Sequence, residues 1–132
     1  MIRAGGAWLR LCGRGRLFPR ETSGYPQRET ITSMSQEILS VAIFQPLQGY
    51  EEASLSTMRA LITALASGGY SRDLLYRDAK SHNEYILLRY WKSEEARRAA
   101  LEDPEVLRCW AKLSHEIRTL KIYETLEEAV SR

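Results

Sequence analysis

The chain has 132 residues, 44% of them apolar and 27% charged, which is enough material for one compact domain and too little length for two. The formal net charge of +2 is unevenly placed, because residues 1–33 carry six arginines against Glu21 and Glu29, which leaves residues 34–132 at −2. This distribution argues against a nucleic-acid-binding domain, and no run of about 20 apolar residues suits a membrane span.

The first segment, residues 1–33, is rich in Gly and Arg and has no periodic apolar face that could join a core. Three interpretations fit this leader: an Arg-rich transit-like peptide, a degenerate secretory signal, or upstream sequence before the true start. A secretory signal needs an unbroken apolar run, whereas Arg10 interrupts residues 7–12. We favour the third interpretation, with the folded domain spanning residues 34–132 from Met34.

A strand and a helix follow the leader. Residues 38–44 are apolar and rich in β-forming side chains and stop before Pro46, which predicts a first strand. Gly68 and Gly69 then end a segment with a helical period. Apolar residues at helical spacing predict this first helix over residues 51–67: Leu55, Met58, Leu61, Ile62 and Leu65.

The second half contains two more strands, a broken helix and a last strand. Residues 74–77 and 84–91 flank a polar stretch and predict an antiparallel hairpin. Ser93 and Asp103 are good N-caps, and Pro104 suits a first helical position, so a second helix is expected to break and restart there. We expect its second part to bury Val106, Leu107, Trp110 and Leu113. Residues 118–126 predict a fourth strand with Leu120, Ile122, Glu124 and Leu126 on one face.

The order βαββαβ predicts an α+β fold, the ferredoxin-like split βαβ sandwich, with a four-stranded antiparallel sheet and two helices on one face. The third strand is apolar or aromatic at nearly every position, so both of its faces favour burial. A second copy of the chain is the simplest cover for the bare face. We therefore expect a homodimer with residues 86–91 and Tyr123 in its interface.

The sequence YWKSEEA at residues 90–96, followed by DPEV at residues 103–106, resembles the antibiotic-biosynthesis-monooxygenase family. Members have a Trp in strand three, then a polar cap with an acidic pair, an Ala-rich helix and a short D/S-P break. The resemblance covers residues 37–126, including the Gly-Gly turn and the RDA hairpin that begins at Arg77. It implies a dimeric α+β barrel and a family of cofactor-free oxygenases of quinol-like or polyketide aromatics, haem-degrading enzymes and members without known activity.

Cofactor-free oxygenation needs an apolar pocket, a group that favours the ionised form of a phenol, and space for dioxygen, because the substrate supplies the electrons. We therefore predict an enzyme that uses a small aromatic substrate and dioxygen with no metal and no bound cofactor. Trp91 is expected to stack on the substrate while its N–H orients a polar group. The predicted catalytic residues are Trp91, His115 and Arg89, and the predicted substrate contacts are Tyr76, Tyr85 and Trp110.

Each of these residues also has a structural interpretation. Trp91 suits packing between the sheet and the second helix, and Arg89 suits an interface ion pair. His115 suits a helix C-terminus, where an imidazolium meets the negative end of the helix dipole. Cys109 is expected to be a small core or interface residue, since no base is identifiable beside it.

Cysteine usage argues against a disulfide scaffold and a zinc site. Cys12 and Cys109 lack a C-x-x-C spacing and form no metal-binding pattern with His82 or His115. A reducing compartment, the cytoplasm, is the natural location for such a chain.

The resemblance also separates branches of the family. Haem-degrading members carry an additional Trp in helix two and a haem-ligating His after the break. The corresponding places here are near Ala100 and residues 110–111, so haem degradation is not expected. Polyketide oxygenases have polar residues near strand three, where this chain has Leu87 and Leu88.

Three functions remain: a cofactor-independent monooxygenase of a phenol or quinol, a non-catalytic ligand-binding or stress-associated dimer, and an interaction module. An apolar cavity between the sheet and the helices with a polar group directed into it favours the enzyme. Filling of that space by Leu, Met and Ala favours the interaction module.

We predict that residues 1–33 are dispensable for folding, because they offer no periodic apolar face to the domain. A chain beginning at Met34 should have the same thermal midpoint and the same oligomeric state as the full chain, measured by calorimetry and sedimentation. Failure of the shortened chain to fold would contradict this prediction.

Overall fold

A computed structural model describes residues 37–130; residues 1–36, with the leader and the expected start at Met34, lie outside this part. The elements confirm the predicted βαββαβ order, with the second helix divided in two. In chain order they are β1 (Ile38–Pro46), α1 (Glu51–Ser67), β2 (Ser71–Arg77), β3 (Tyr85–Trp91), α2 (Glu94–Ala100), α3 (Pro104–Leu113) and β4 (Ile117–Leu126).

The four strands form one antiparallel sheet in the order β2-β3-β1-β4, so β1 and β3 are the central strands. Burial alternates along both central strands, as expected when successive side chains point to opposite faces. One set of alternate residues is buried and faces the helices: Ser40, Ala42, Phe44, Tyr85, Leu87, Arg89 and Trp91. This confirms that the helices cover one face of the sheet.

The core lies between this face and the helices α1 and α3. Met58, Leu61 and Leu65 of α1 are fully buried, as the helical period predicted. Burial of Leu107 was a wrong expectation, because this side chain is 37% exposed. Leu107 is turned about 100° from Val106 around the axis of α3. The buried residues of α3 are Val106, Cys109, Trp110 and Leu113.

Two predicted N-caps set the ends of α2 and α3. The Ser93 hydroxyl accepts a hydrogen bond from the Ala96 N–H at 3.0 Å. The Asp103 carboxylate accepts from the N–H groups of Glu105 and Val106, with Pro at the start of α3. These bonds satisfy donors that the first helical turn leaves unpaired, which explains why the helix breaks at this point.

Two irregularities in the pairing of β1 with β4 overturn the predicted alternation of the last strand. Ile43 pairs with Lys121 and Phe44 with Thr119, so Leu120 is an extra residue in β4. Leu120 and Leu126 are consequently exposed, whereas Ile122 packs against the core. A single strict period of two therefore does not describe this strand.

The opposite face of the sheet, here called the open sheet face, carries apolar and aromatic side chains that no element among residues 37–130 covers. Residues directly paired across an antiparallel sheet share a face, and these pairs include Leu74 with Leu88 and Tyr76 with Ile86. Leu74 and Tyr76 are 42% and 54% exposed. The same face includes Leu39, Val41, Ile43, Tyr90 and Tyr123. Among the described residues, no helix has the length and apolarity to cross a bilayer.

We predict that the open sheet face forms a homodimer interface, because an apolar patch of this extent favours association. The Leu88→Glu variant places a charge at its centre and should weaken the dimer by at least about 100-fold, since an unpaired charge is costly to bury. Sedimentation velocity at micromolar concentration measures this change. Leu107→Glu, at an exposed position on α3, is the matched control and should leave the dimer intact. A monomeric wild-type protein under these conditions would contradict the dimer.

Candidate functional site

The last residue of β3, Trp91, lies on the helix-facing side of the sheet, just before the Ser93 cap of α2. Its side chain is fully buried, with 0% of its surface exposed. The indole Nε1–H donates a hydrogen bond to the Ser40 hydroxyl at 3.1 Å. The N–H that the sequence analysis assigned to a substrate group is bonded to Ser40 in this structure.

Ser40 is the centre of a buried hydrogen-bond network. In the sheet it pairs with Arg89, which places it diagonally across from Trp91. Its hydroxyl donates to the main-chain carbonyl of Glu124 in β4 at 2.6 Å. Arg97 of α2 donates to the same carbonyl at 3.0 Å, and its Nη1 lies 3.5 Å from the Ser40 hydroxyl oxygen. One serine thus connects β1, β3, β4 and α2.

Arg97 holds α2 against the last strand. Its Nη2 donates to Thr125 Oγ1 and to Glu94 Oε1, each at 3.2 Å. The guanidinium is almost fully buried, whereas the Glu94 carboxylate is about one-third exposed. The ion pair therefore lies at the boundary of the core.

A second guanidinium group, that of Arg89, lies over the indole ring. Arg89 Nε donates to Asp73 Oδ2 at 2.7 Å, and both side chains are enclosed, at 0% and 1% exposure. Asp73 pairs with Arg89 across β2 and β3 and also accepts a hydrogen bond from the Ser71 hydroxyl at 2.8 Å. The Arg89 guanidinium carbon is 5.4 Å from the centre of the Trp91 ring, within the range of a cation–π contact.

We call these five residues, Trp91, Ser40, Arg89, Asp73 and Arg97, the Trp91 cluster. It combines an aromatic ring with two buried cations, one paired with a fully buried carboxylate and one with a partly exposed one. In a site closed to water such cations stabilise developing negative charge more strongly than in solution. Among residues 37–130, no group of His, Cys, Asp and Glu side chains is arranged to hold a metal ion.

Of the six predicted site residues, Trp91 and Arg89 are in contact, and Tyr85 and Trp110 belong to the same hydrophobic core as Trp91. Tyr85, at the other end of β3, is buried and stacks on Phe44 with ring centres 5.6 Å apart. Tyr76 lies on the open sheet face, opposite to the face that carries Trp91. His115 is exposed in the turn after α3.

Trp110, another predicted substrate contact, is buried on α3 at 3% exposure. Its indole nitrogen is enclosed and has no hydrogen-bond partner among the described residues. The sequence predicted the burial of this side chain but gave no indication of an acceptor for its N–H.

Sequence reasoning missed Ser40, Asp73 and Arg97. A signal for Ser40 exists, because it is the one hydroxyl at a helix-facing position of an otherwise apolar strand. Asp73 becomes recognisable only from the pairing of β2 with β3, and Arg97 only from the position of α2 over β4. These two contacts join residues 16 and 27 positions apart, beyond the reach of local patterns.

A concave region lies between α1 and the start of α3, away from the Trp91 cluster, with a volume of about 690 Å³. It is open to solvent, and Asp103 at its rim accepts a hydrogen bond from the Tyr70 hydroxyl at 2.8 Å. This bond lowers the pKa of Asp103 and raises the pKa of Tyr70. A Cβ at Gly68 would overlap the Tyr70 ring, so this ring would have to shift. The groove is lined by Arg59, Ala60, Thr63, Ala64, Ser67, Gly68, Asp103 and Glu105.

Cys109 is a buried thiol on α3, which agrees with its interpretation as a core residue. Burial raises the pKa of the Cys109 thiol, and the nearby Glu105 carboxylate adds to this effect. A thiol with a raised pKa is a weak nucleophile at neutral pH.

Comparison with known proteins identifies the fold. No protein-family model matches the chain, and no curated protein matches it. SnoaB, a cofactor-independent oxygenase from Streptomyces nogalater, has a TM-score of 0.60 at 19% identity, over 73% of this chain and 99% of SnoaB. A candidate antibiotic biosynthesis monooxygenase from Chloroflexus aurantiacus also reaches 0.60, at 15% identity over 73% of this chain and 97% of its own.

Rv0793 from Mycobacterium tuberculosis has a TM-score of 0.54 at 20% identity, over 71% of this chain and 99% of its own. These likenesses show that the chain has the fold of these proteins along nearly their full length. They agree with the fold implied by the resemblance around residues 90–106.

We predict that the buried ion pair is essential for stability. The Asp73→Asn variant leaves the enclosed Arg89 cation without its anion and should lower the free energy of unfolding by about 3–5 kcal/mol. Glu105→Gln, which breaks an exposed ion pair with Arg108, should change it by less than about 1 kcal/mol. Urea unfolding at neutral pH measures both values. Equal, small effects of the two substitutions would contradict the prediction.

Proposed function

We propose that this protein is a cofactor-independent monooxygenase that oxidises a small aromatic molecule, a quinol or a polyketide-like phenol, with dioxygen. The observation that carries the proposal is the Trp91 cluster, in which the guanidinium group of Arg89 lies 5.4 Å from the buried indole ring and that of Arg97 contacts the Ser40 hydroxyl to which the indole is bonded. The fold shared with the cofactor-independent oxygenase SnoaB supports it.

The chemistry assigned to the cluster is stabilisation of an ionised substrate. A phenol or an anthrone-like CH₂ group that loses a proton becomes an electron-rich anion. Arg97, whose partner Glu94 is partly exposed, supplies positive charge, and the ion pair of Arg89 with Asp73 supplies a fixed dipole beside the Trp91 ring. In the anthrone case the CH₂ group and dioxygen give a carbonyl and water. Two C–H bonds break, one oxygen atom enters the product, and the other leaves as water with both hydrogens. Dioxygen accepts four electrons from the substrate carbon, so no external reductant is required.

Access to the site requires a local opening. Trp91 and Arg89 have no exposed surface, so a substrate reaches them only when a covering element moves. The short helix α2 follows Trp91 directly, and the hydrogen bonds of Arg97 hold it to β4. We propose that this helix moves to admit substrate and, on closing, excludes water from the reacting anion.

A second candidate function is a non-catalytic ligand-binding or stress-associated dimer. Its support is the buried Trp91 ring, on which a flat ligand can stack without any reaction. The fully buried Leu87, Met58, Leu61 and Leu65 between the sheet and the helices instead favour the interaction module. The two candidates differ in one observable. The enzyme consumes dioxygen, whereas the binding protein binds an aromatic ligand and consumes no dioxygen.

We predict that the protein consumes dioxygen with at least one member of a panel of hydroquinones and anthrone-like phenols, measured with an oxygen electrode and by mass spectrometry of the product. The Trp91→Phe variant should reduce turnover by at least about tenfold, because it removes both the larger ring and the hydrogen bond to Ser40. Its cost in stability should be about 1–2 kcal/mol.

Tyr90→Phe is the matched control, since Tyr90 is the preceding residue of β3 and lies on the opposite face of the sheet. It should keep full turnover. Ligand binding without oxygen consumption across the panel would instead support the binding protein. Unchanged turnover in the Trp91→Phe variant would remove Trp91 from the site and contradict the proposed enzyme.

A further inference from the structure

We propose that Ser40 is a positioning residue for Trp91: its hydroxyl fixes the plane of the indole ring through a hydrogen-bond chain that ends on the backbone of β4. This inference rests on the proposed function, because it concerns the ring that the substrate is proposed to contact. It adds a residue to the site and specifies which part of Trp91 meets the substrate.

The donor and both acceptor positions of the Ser40 hydroxyl are used in hydrogen bonds. A serine hydroxyl has one proton to donate and two lone pairs to accept with. The proton goes to the Glu124 carbonyl at 2.6 Å, a short and strong bond. One lone pair accepts a hydrogen bond from Trp91 Nε1–H at 3.1 Å, and the other accepts a longer one from Arg97 Nη1 at 3.5 Å. The Glu124 carbonyl therefore determines how the hydroxyl is turned, and the hydroxyl determines where the indole N–H points.

Because the hydrogen bonds from Glu124 through Ser40 to Trp91 are buried, they constrain the orientation of the indole ring. Ser40 is 1% exposed and Trp91 is fully enclosed, so water cannot replace either bond. A buried indole N–H without an acceptor costs free energy, which restricts the ring to the orientation that reaches Ser40. The side chain of Trp has only two rotatable bonds, and this one hydrogen bond selects among their combinations.

The hydrogen bond between Trp91 and Ser40 limits the ways in which Trp91 can recognise a substrate. Because the N–H is used by Ser40, Trp91 offers a substrate its ring and no donor. Recognition at this residue is then by stacking, which favours a flat, fused or extended aromatic over a small polar phenol. Charge is recognised separately, by the two guanidinium groups beside the ring.

A spectroscopic experiment tests the positioning role independently of activity. Three tryptophans give three indole N–H signals in a protein labelled with ¹⁵N-tryptophan, and Trp91→Phe identifies the one from Trp91. Ser40→Ala should move the Trp91 signal upfield and speed its exchange with solvent, with no comparable change at Trp110. Ser40→Cys, which keeps a side chain of similar shape with only a weak acceptor, should do the same, and Ser40→Thr should restore the wild-type signal.

Kinetics on the substrate that first gives turnover completes the test. Ser40→Ala and Ser40→Cys should lower kcat roughly tenfold, because a tenfold change in rate corresponds to the free energy of about one hydrogen bond. KM should change less than about twofold. Ser40→Thr should recover most of kcat. Ser114→Ala, which removes a hydroxyl from the exposed end of α3, is the control and should change neither constant.

The outcomes separate the two proposals. Loss of turnover in Trp91→Phe together with full turnover in Ser40→Ala and Ser40→Cys would overturn the positioning role and leave the proposed function standing. An unmoved Trp91 indole signal in these Ser40 variants would also overturn it. Full turnover in Trp91→Phe would overturn the proposed site itself, and the role of Ser40 with it.

Discussion

The buried Arg89 guanidinium is the constraint on which much of this fold depends. A cation without exposed surface is tolerated only when an anion compensates its lost hydration, and Asp73 does so at 2.7 Å from the neighbouring strand. The pair also favours one register of the edge strand β2, because a slip by one residue would turn Asp73 to the open sheet face and break its bond with Arg89. The same register pairs Leu75 with Leu87 on the helix-facing side and Leu74 with Leu88 on the open sheet face.

The same burial gives the Trp91 cluster its chemical character. Polar groups of four elements meet around one serine hydroxyl, and each of its hydrogen bonds is made away from water. Such groups hold fixed positions because any rearrangement would leave a buried donor or acceptor unpaired. This preorganisation is what stabilisation of an anionic intermediate requires, and α2, which contributes Arg97 to the cluster, is the element proposed to close it. The cost is restricted access, which makes movement of α2 part of the proposed mechanism.

Local patterns in the sequence predicted most of the architecture. The order of elements, the hairpin, the two N-caps at Ser93 and Asp103, and the break between α2 and α3 all depend on neighbouring residues, and the structure has each of them. The errors arose where a pattern was extended too regularly. Leu107 was assigned to the buried stripe of α3, and the alternation of β4 was carried through Leu120, where the pairing with β1 inserts an extra residue.

The sequence by itself determined the fold class and a sheet covered by helices on one face, and it predicted Trp91 and Arg89 as site residues. Only the tertiary structure decided that Tyr76 and His115 lie away from Trp91, and that Ser40, Asp73 and Arg97 surround it. The physical reason is the sequence separation between the residues in contact. Periodicity and caps report interactions between residues a few positions apart, whereas the bonds of this cluster join residues 16 to 84 positions apart, and these depend on the register and order of the strands.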